Sequence, residues 1–95
     1  MIVTVDELKA ALRVDHADDD SYLTRLIAQA QGAAEDFCRV KFEDTTAPEP
    51  VRLAVVLMAS FHYENPDMES SAAYRAMRRA FEALLYPHRD ETQMF

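Results

Sequence analysis

PEPVRLAVVLMASFHYENP, Pro48 to Pro66, reads equally well as a buried strand or a buried helix. Its middle, Leu53 to Ala59, is seven consecutive apolar residues, which show neither the period of a half-buried strand nor that of an amphipathic helix. Length decides. The stretch between the prolines is longer than ordinary strands, and Pro48 or Pro50 suits the first turn of a helix, where a missing N–H costs nothing. The spacing predicts a helix from one of these prolines to Asn65, stopped by Pro66. A helix apolar nearly all round must be buried on most sides. Short neighbours leave part of it open, which points to contact with another chain.

Upstream, FEDTTAPEP is the clearest loop. Before it, Tyr22, Leu23, Leu26, Ile27, Ala30, Ala33, Ala34 and Phe37 recur at helical spacing and predict a long helix from about Asp19 to about Val40. Thr24, Arg25, Gln29, Gln31 and Glu35 fall largely outside that stripe. Gly32, the chain's only glycine, sits inside this helix at a cost of about 1 kcal/mol relative to alanine. A close helix–helix crossing would justify it. No Asn-Gly or Asp-Gly hairpin signal occurs anywhere. The fold class is therefore all-α, a small bundle of about four helices in one domain spanning residues 1–95.

The long helix is approached through VDHADDD. Asp15, Asp18, Asp19 and Asp20 have oxygens enough for calcium, but the EF-hand order and its glycine are missing. The favoured reading is a helix start. Aspartate is a preferred N-cap, and acids in the first turn gain about 0.3–1 kcal/mol each from the helix dipole. Before it, Thr4 with Glu7 forms a capping box for a short helix, Val5 to Leu12, whose stripe is Val5, Leu8 and Leu12. Downstream, a fourth helix follows NPDMESS, capped by Ser70 or Ser71 and ending before Pro87. Tyr74, Met77, Phe81, Leu84 and Leu85 form its stripe. Residues 87–95 read as a flexible or partner-docking tail.

The net charge of −7 argues against duplex-DNA binding, which draws its affinity from Lys and Arg. No stretch is long and apolar enough to span a bilayer, and no secretory signal opens the chain, so a soluble protein made in the cytoplasm is expected. Cys38 is the single cysteine; it excludes an internal disulfide and reads as a small apolar filler. His16, His62 and His88 make no ligand motif. Neither a phosphate loop nor a nucleophile elbow is present, so no catalytic, cofactor or metal site is expected. Arg75, Arg78 and Arg79 read first as a solvated face. The alternative is an inter-subunit contact with acidic surface, Asp15, Asp18 and Asp19, on another copy. Such head-to-tail contacts close into rings.

Three pieces of the chain, in order, resemble the tailed-phage head–tail connector family, also called adaptor or head-completion proteins. The first is VTVDELKAALRVDHADDDSYLTRLIAQAQGAAEDFCRVKF, in which Leu12, Arg13, Val14, Asp15, Asp19 and Asp20 match the family's L-R-V-D-x-x-x-D-D element. The second is the helix after the proline, ending in Tyr63, Glu64 and Asn65. The third is FEALLYPHR, similar to the closing E-A-L-L-x-P-x-R, with Glu82, Ala83, Leu84, Leu85, Pro87 and Arg89 matching. Where the family commonly has Pro and Gly before that close, AYRAMRRA is a good helix former, implying a longer last helix.

The resemblance implies a structural protein of the virion neck, assembled in the host cytoplasm. It implies a homo-oligomeric ring, dodecameric on the particle, beneath the portal. That ring would extend the DNA channel without binding DNA specifically and would carry the stopper or tail-completion protein. It also implies portal docking through the C-terminal part, here Leu84, Leu85, Tyr86, Pro87, His88, Arg89, Met94 and Phe95. Two readings compete with this one. An unrelated helical interaction or regulatory module would be a dimer. A divalent-metal-binding helical protein using Asp15 to Asp20 would lose stability to chelators.

Overall fold

Thr4 opens the first helix with the reciprocal pair that its spacing predicts. Glu7 N donates to Thr4 Oγ1, and Thr4 N donates to Glu7 Oε1, both at 3.1 Å. This computed structural model describes residues 1–67 and 71–90. In it α1 spans Val5–Leu12, α2 Asp20–Cys38, α3 Glu49–Glu64 and α4 Ala72–Leu85, followed by a 3-10 turn, Tyr86–His88. Among the described residues there is no strand, so the apolar run of Leu53 to Ala59 is helical. Pro48 precedes α3 as its N-cap and Pro50 stands in its first turn. Ser71 caps α4, its Oγ accepting from Tyr74 N at 3.0 Å.

The helices alternate in direction, and α3 is the middle one. It packs extensively on both α2 and α4, which meet each other less, and α1 lies on α2 and α3. At one end α2 and α4 touch, with Cys38 Sγ donating to Leu85 O at 3.6 Å. The core runs from Leu8 through Leu23, Ile27 and Ala34 to Val51, Val55, Met58, Phe81 and Leu85. Phe81 is the largest fully buried side chain. Principal extents of 45 × 33 × 17 Å make the molecule flat. A slab that thin holds hardly more than one and a half helix diameters of about 10–12 Å, so α3 keeps an open side. Leu53 is 53% exposed, and Val56 and Leu57 beside it are only partly buried.

Two expectations from the sequence are corrected. A Cβ built on Gly32 meets nothing within 4 Å, so no close crossing requires the glycine; nothing in the structure explains it. Gln31 and Glu35 are not solvated side chains either. Gln31 Oε1 accepts from Ile2 N at 2.9 Å, and Glu35 Oε2 accepts from Phe42 N at 2.9 Å. These bonds seat the segments before α1 and after α2. Ile2 and Val3 consequently enter the core, at 1% and 0% exposure. Arg52 completes the arrangement by donating to the carbonyls of Ile2, Asp44 and Ala47. One guanidinium with five donors can satisfy several carbonyls that no helix serves.

Candidate functional site

No pocket is found among the described residues, and the features that follow are surfaces. The acidic approach to α2 comes first, because the structure disperses it. Asp19 stands at the N-cap position, but its side chain makes no capping bond. The expected cap is replaced by a tertiary bond: Asp19 Oδ2 accepts from Tyr63 Oη at 2.6 Å. The physical reason is local geometry. The Asp19 backbone, at φ −106° and ψ 12°, lies outside the extended region from which an N-cap side chain reaches back to the helix N–H groups, and its carboxylate is left to take the phenol O–H. That bond is also the first cause raising the Tyr63 pKa, followed by desolvation and the nearby charge. Asp20 Oδ1 accepts from Lys9 Nζ at 2.9 Å, tying α2 to α1. Asp15 and Asp18 face outward, with the Asp18 side chain 91% exposed and 3.8 Å from His16 Nδ1.

The three histidines do not assemble. His16 sits beside Asp18, His62 lies 5.9 Å from the rings of Phe61 and Tyr74, and His88 is in the 3-10 turn. Among the described residues no three His, Cys, Asp or Glu side chains gather as metal ligands.

The arginines of α4 divide as well. Arg78 turns inward: its Nε donates to Glu82 Oε2 at 3.1 Å and its guanidinium lies 5.2 Å from the centre of the Phe81 ring. Arg75 and Arg79 are exposed. Along the same outer side run Ala72, Ala76 and Ala80, all exposed.

At the other end of α4 the chain stays packed past Pro87. The Arg89 guanidinium lies 4.8 Å from the Phe37 ring centre and 5.7 Å from that of Tyr86. Asp90 N donates to Cys38 O at 2.7 Å. Burial pushes the Cys38 thiol up, and the Arg89 charge partly opposes this, so the thiol is a packed filler with little thiolate at neutral pH. Residues 87–90 are thus part of the folded body, where the sequence suggested a loose tail. Leu85 is 0% exposed and belongs to the core, whereas Tyr86 is 57% exposed and Pro87 is exposed, with Leu84, His88 and Arg89 partly so. Met94 and Phe95 lie outside the described residues.

The three resembling pieces now have physical roles. Asp19 of the first bonds Tyr63 of the second. Asn65 ends α3 by donating to Phe61 O from both its backbone N, at 2.8 Å, and its Nδ2, at 3.1 Å. Leu85 and Arg89 of the third close the bundle against Cys38 and Phe37. Sequence reasoning missed Arg52, Gln31 and Ile2; the only signal was one arginine beside an otherwise apolar helix face.

No helix among the described residues is long and apolar enough to cross a membrane. No curated protein and no solved structure gives a significant match to the chain. A family model does. The one described as "Phage gp6-like head-tail connector protein" matches residues 2–89, a span that takes in all four helices, the Asp19–Tyr63 bond and the Arg89 closure. The chain belongs to the phage gp6-like head–tail connector proteins, which are structural components of the head–tail interface of the virion.

Proposed function

We propose that this protein works as a ring adaptor beneath the portal, extending the channel through which DNA passes and offering a platform to the stopper or tail-completion protein. It does so as a homo-oligomer, dodecameric on the particle, without catalysis or a cofactor. The observation that carries the reading is the family match across residues 2–89. The shape agrees with it: a slab with extents of 45 × 33 × 17 Å has broad faces and thin edges, a form that packs side by side. The apolar side of α3 around Leu53 and the exposed Tyr86 add surface suited to protein contacts, since aromatic and apolar anchors dominate such interfaces. A net charge of −7 disfavours retention of DNA and lets it slide.

Portal docking is assigned to the C-terminal end: Leu84, Tyr86, Pro87, His88 and Arg89 on the packed body, with Met94 and Phe95 beyond it. Leu85 drops out because it is buried. The test is co-sedimentation with purified portal, comparing the full chain with one cut after Asp90. That cut spares the Arg89–Phe37 contact and the Asp90–Cys38 bond. The shortened chain is expected to keep its helical circular dichroism and lose most of its portal binding. Equal binding by both chains would remove Met94 and Phe95 from the docking surface. Failure of the full chain to bind portal would sink the adaptor reading itself.

A further inference from the structure

We infer that the open side of α3 is the seat for a second copy of this chain, which lays the outward side of its α4 across it, Arg79 on Glu64 and Tyr86 on Leu57. The inference rests on the ring reading and names the contact that would build it. Leu53 is 53% exposed, and Leu57 and Ser60 are only partly buried. At helical spacing these residues and Glu64 lie along one line of α3. The core residues of the same helix, Val51, Ala54, Val55, Met58 and Ala59, point the other way. An apolar stripe left in water favours whatever covers it.

Glu64 shows what charge the cover should carry. It is exposed and is the last residue of α3, at the negative end of the helix dipole, where an acid is disfavoured. Glu49, at the opposite end of the stripe, stands in the first turn, where the dipole already favours it. A cation arriving on the stripe therefore gains most at Glu64. The second copy brings one. Arg79 is exposed on the outward side of α4, and among the described residues no ion pair engages either Arg79 or Glu64.

Spacing selects a second copy as the occupant. Arg79, Ala83 and Tyr86 follow one side of α4 and are all exposed, Tyr86 at 57%. Tyr86 keeps helical dihedrals, φ −52° and ψ −45°, so that side is continuous. The step from Arg79 to Tyr86 equals the step from Glu64 back to Leu57, about 10.5 Å along either axis. Two antiparallel helices thus set Arg79 on Glu64, Ala83 on Ser60 and Tyr86 on Leu57 at once. The small central pair, Ala83 and Ser60, lets the helices approach closely. Within one chain α4 uses its other side, with Met77, Phe81 and Leu85 buried, so its outward side meets α3 only in a neighbour. Joining unlike patches of identical chains leaves one of each patch open on the pair, so association continues and closes into a ring where the rotation allows.

The test is native mass spectrometry and sedimentation of the full chain, alone and with portal. It compares wild type, E64R, R79E, the E64R/R79E chain and, as a control, E49R. These residues are exposed, so circular dichroism should be unaltered; E64Q and R79Q provide milder variants if a reversal disturbs folding. E64R and R79E are each expected to lower the assembled fraction by about tenfold or more, as charge reversal at a complementary contact does. E64R/R79E should recover most of it, and E49R should match wild type. S60C and A83C chains, mixed and mildly oxidised, should join through a disulfide about tenfold more than either chain does by itself, since that bond demands close approach. Wild type, with Cys38 buried, supplies the background. Assembly that ignores both reversals overturns the inference and leaves the ring reading standing, with its contact elsewhere. Loss that E64R/R79E does not recover, with no disulfide between S60C and A83C chains, also overturns it and gives these faces to another partner such as portal. A wild-type chain that assembles neither alone nor on portal defeats the ring reading and this inference together.

Discussion

The two ends of the slab are built from the same helices but held by different chemistry. Where α2 and α4 finish, the ties hold backbone groups. Arg52 clasps three carbonyls, Gln31 and Glu35 each hold a backbone N–H, and Asp90 N reaches Cys38 O. Where α2 and α4 begin, the ties run between side chains: Tyr63 to Asp19, and the ring contacts among Phe61, His62, Tyr74, Tyr22 and Tyr63. Most of these rings are only half-buried. A backbone tie fixes where the chain goes, whatever residues follow. A side-chain tie fixes only its own partners and leaves the neighbouring surface to carry charge, as Asp15, Asp18 and Arg75 do. The first end is a closure that holds the proposed docking residues of the C-terminal end in place; the second displays charge.

Four substitutions probe this contrast. Phe81→Ala empties the core between the ends and should cost about 3–5 kcal/mol in denaturant unfolding. A much smaller loss would mean that the thin slab collapses to fill the gap. Arg52→Ala strikes the closed end. Losing charge-assisted bonds to otherwise unserved carbonyls should cost about 1.5–3 kcal/mol, and amide exchange should rise near Ile2 and Asp44 before it rises in α4. Uniform exchange across both ends would show that the closure is not a separate unit.

Tyr63→Phe strikes the display end and should lower the melting temperature less than Arg52→Ala does. Its pH signature is specific. The folded Tyr63 pKa is raised above 10.0, chiefly by its bond to Asp19. The native state therefore holds the phenolic proton more tightly than the unfolded chain. That stabilisation is complete below the unfolded pKa and disappears as pH rises through the folded one. Spectrophotometric titration should find Tyr63 deprotonating late in the wild type and in Asp15→Asn, and closer to the ordinary phenol range in Asp19→Asn, which removes the largest cause of the shift. Gly32→Ala is the smallest effect and the only gain: with open space around the missing Cβ, stability should rise by about 0.5–1 kcal/mol. A loss there would reveal a partner surface or a backbone need that the isolated chain does not show.

Most helices could be read from local pattern because their signals are local. Thr4 and Glu7 are neighbours on one turn, Ser71 lies three residues before the N–H it caps, and the prolines at 48, 50 and 66 bracket α3. The candidate surfaces were legible only in part. Arg75, Arg78 and Arg79 form one cluster in the sequence, yet a Glu one turn on and a phenyl face underneath take Arg78 out of it. Asp15 to Asp20 likewise form one run, and Lys9 and Tyr63 remove its second half. The first removal was open to reading, since Arg78 and Glu82 stand at i,i+4 on one face of α4; the second had no signature in spacing, since Lys9 and Tyr63 come from other helices.

The amino-acid sequence by itself determined the all-α class, the helix order and the apolar stripes, because capping, helical periodicity and proline stops act within a few residues. The family resemblance belongs there too, since it rests on short pieces in a fixed order. Tertiary structure alone decided which charges face outward, that Ile2 and Val3 enter the core, that Leu85 is packing and that the chain stays bound as far as Asp90. Those outcomes are competitions among distant groups for one donor, one acceptor or one patch of buried space. Such competitions are settled only when the helices have met.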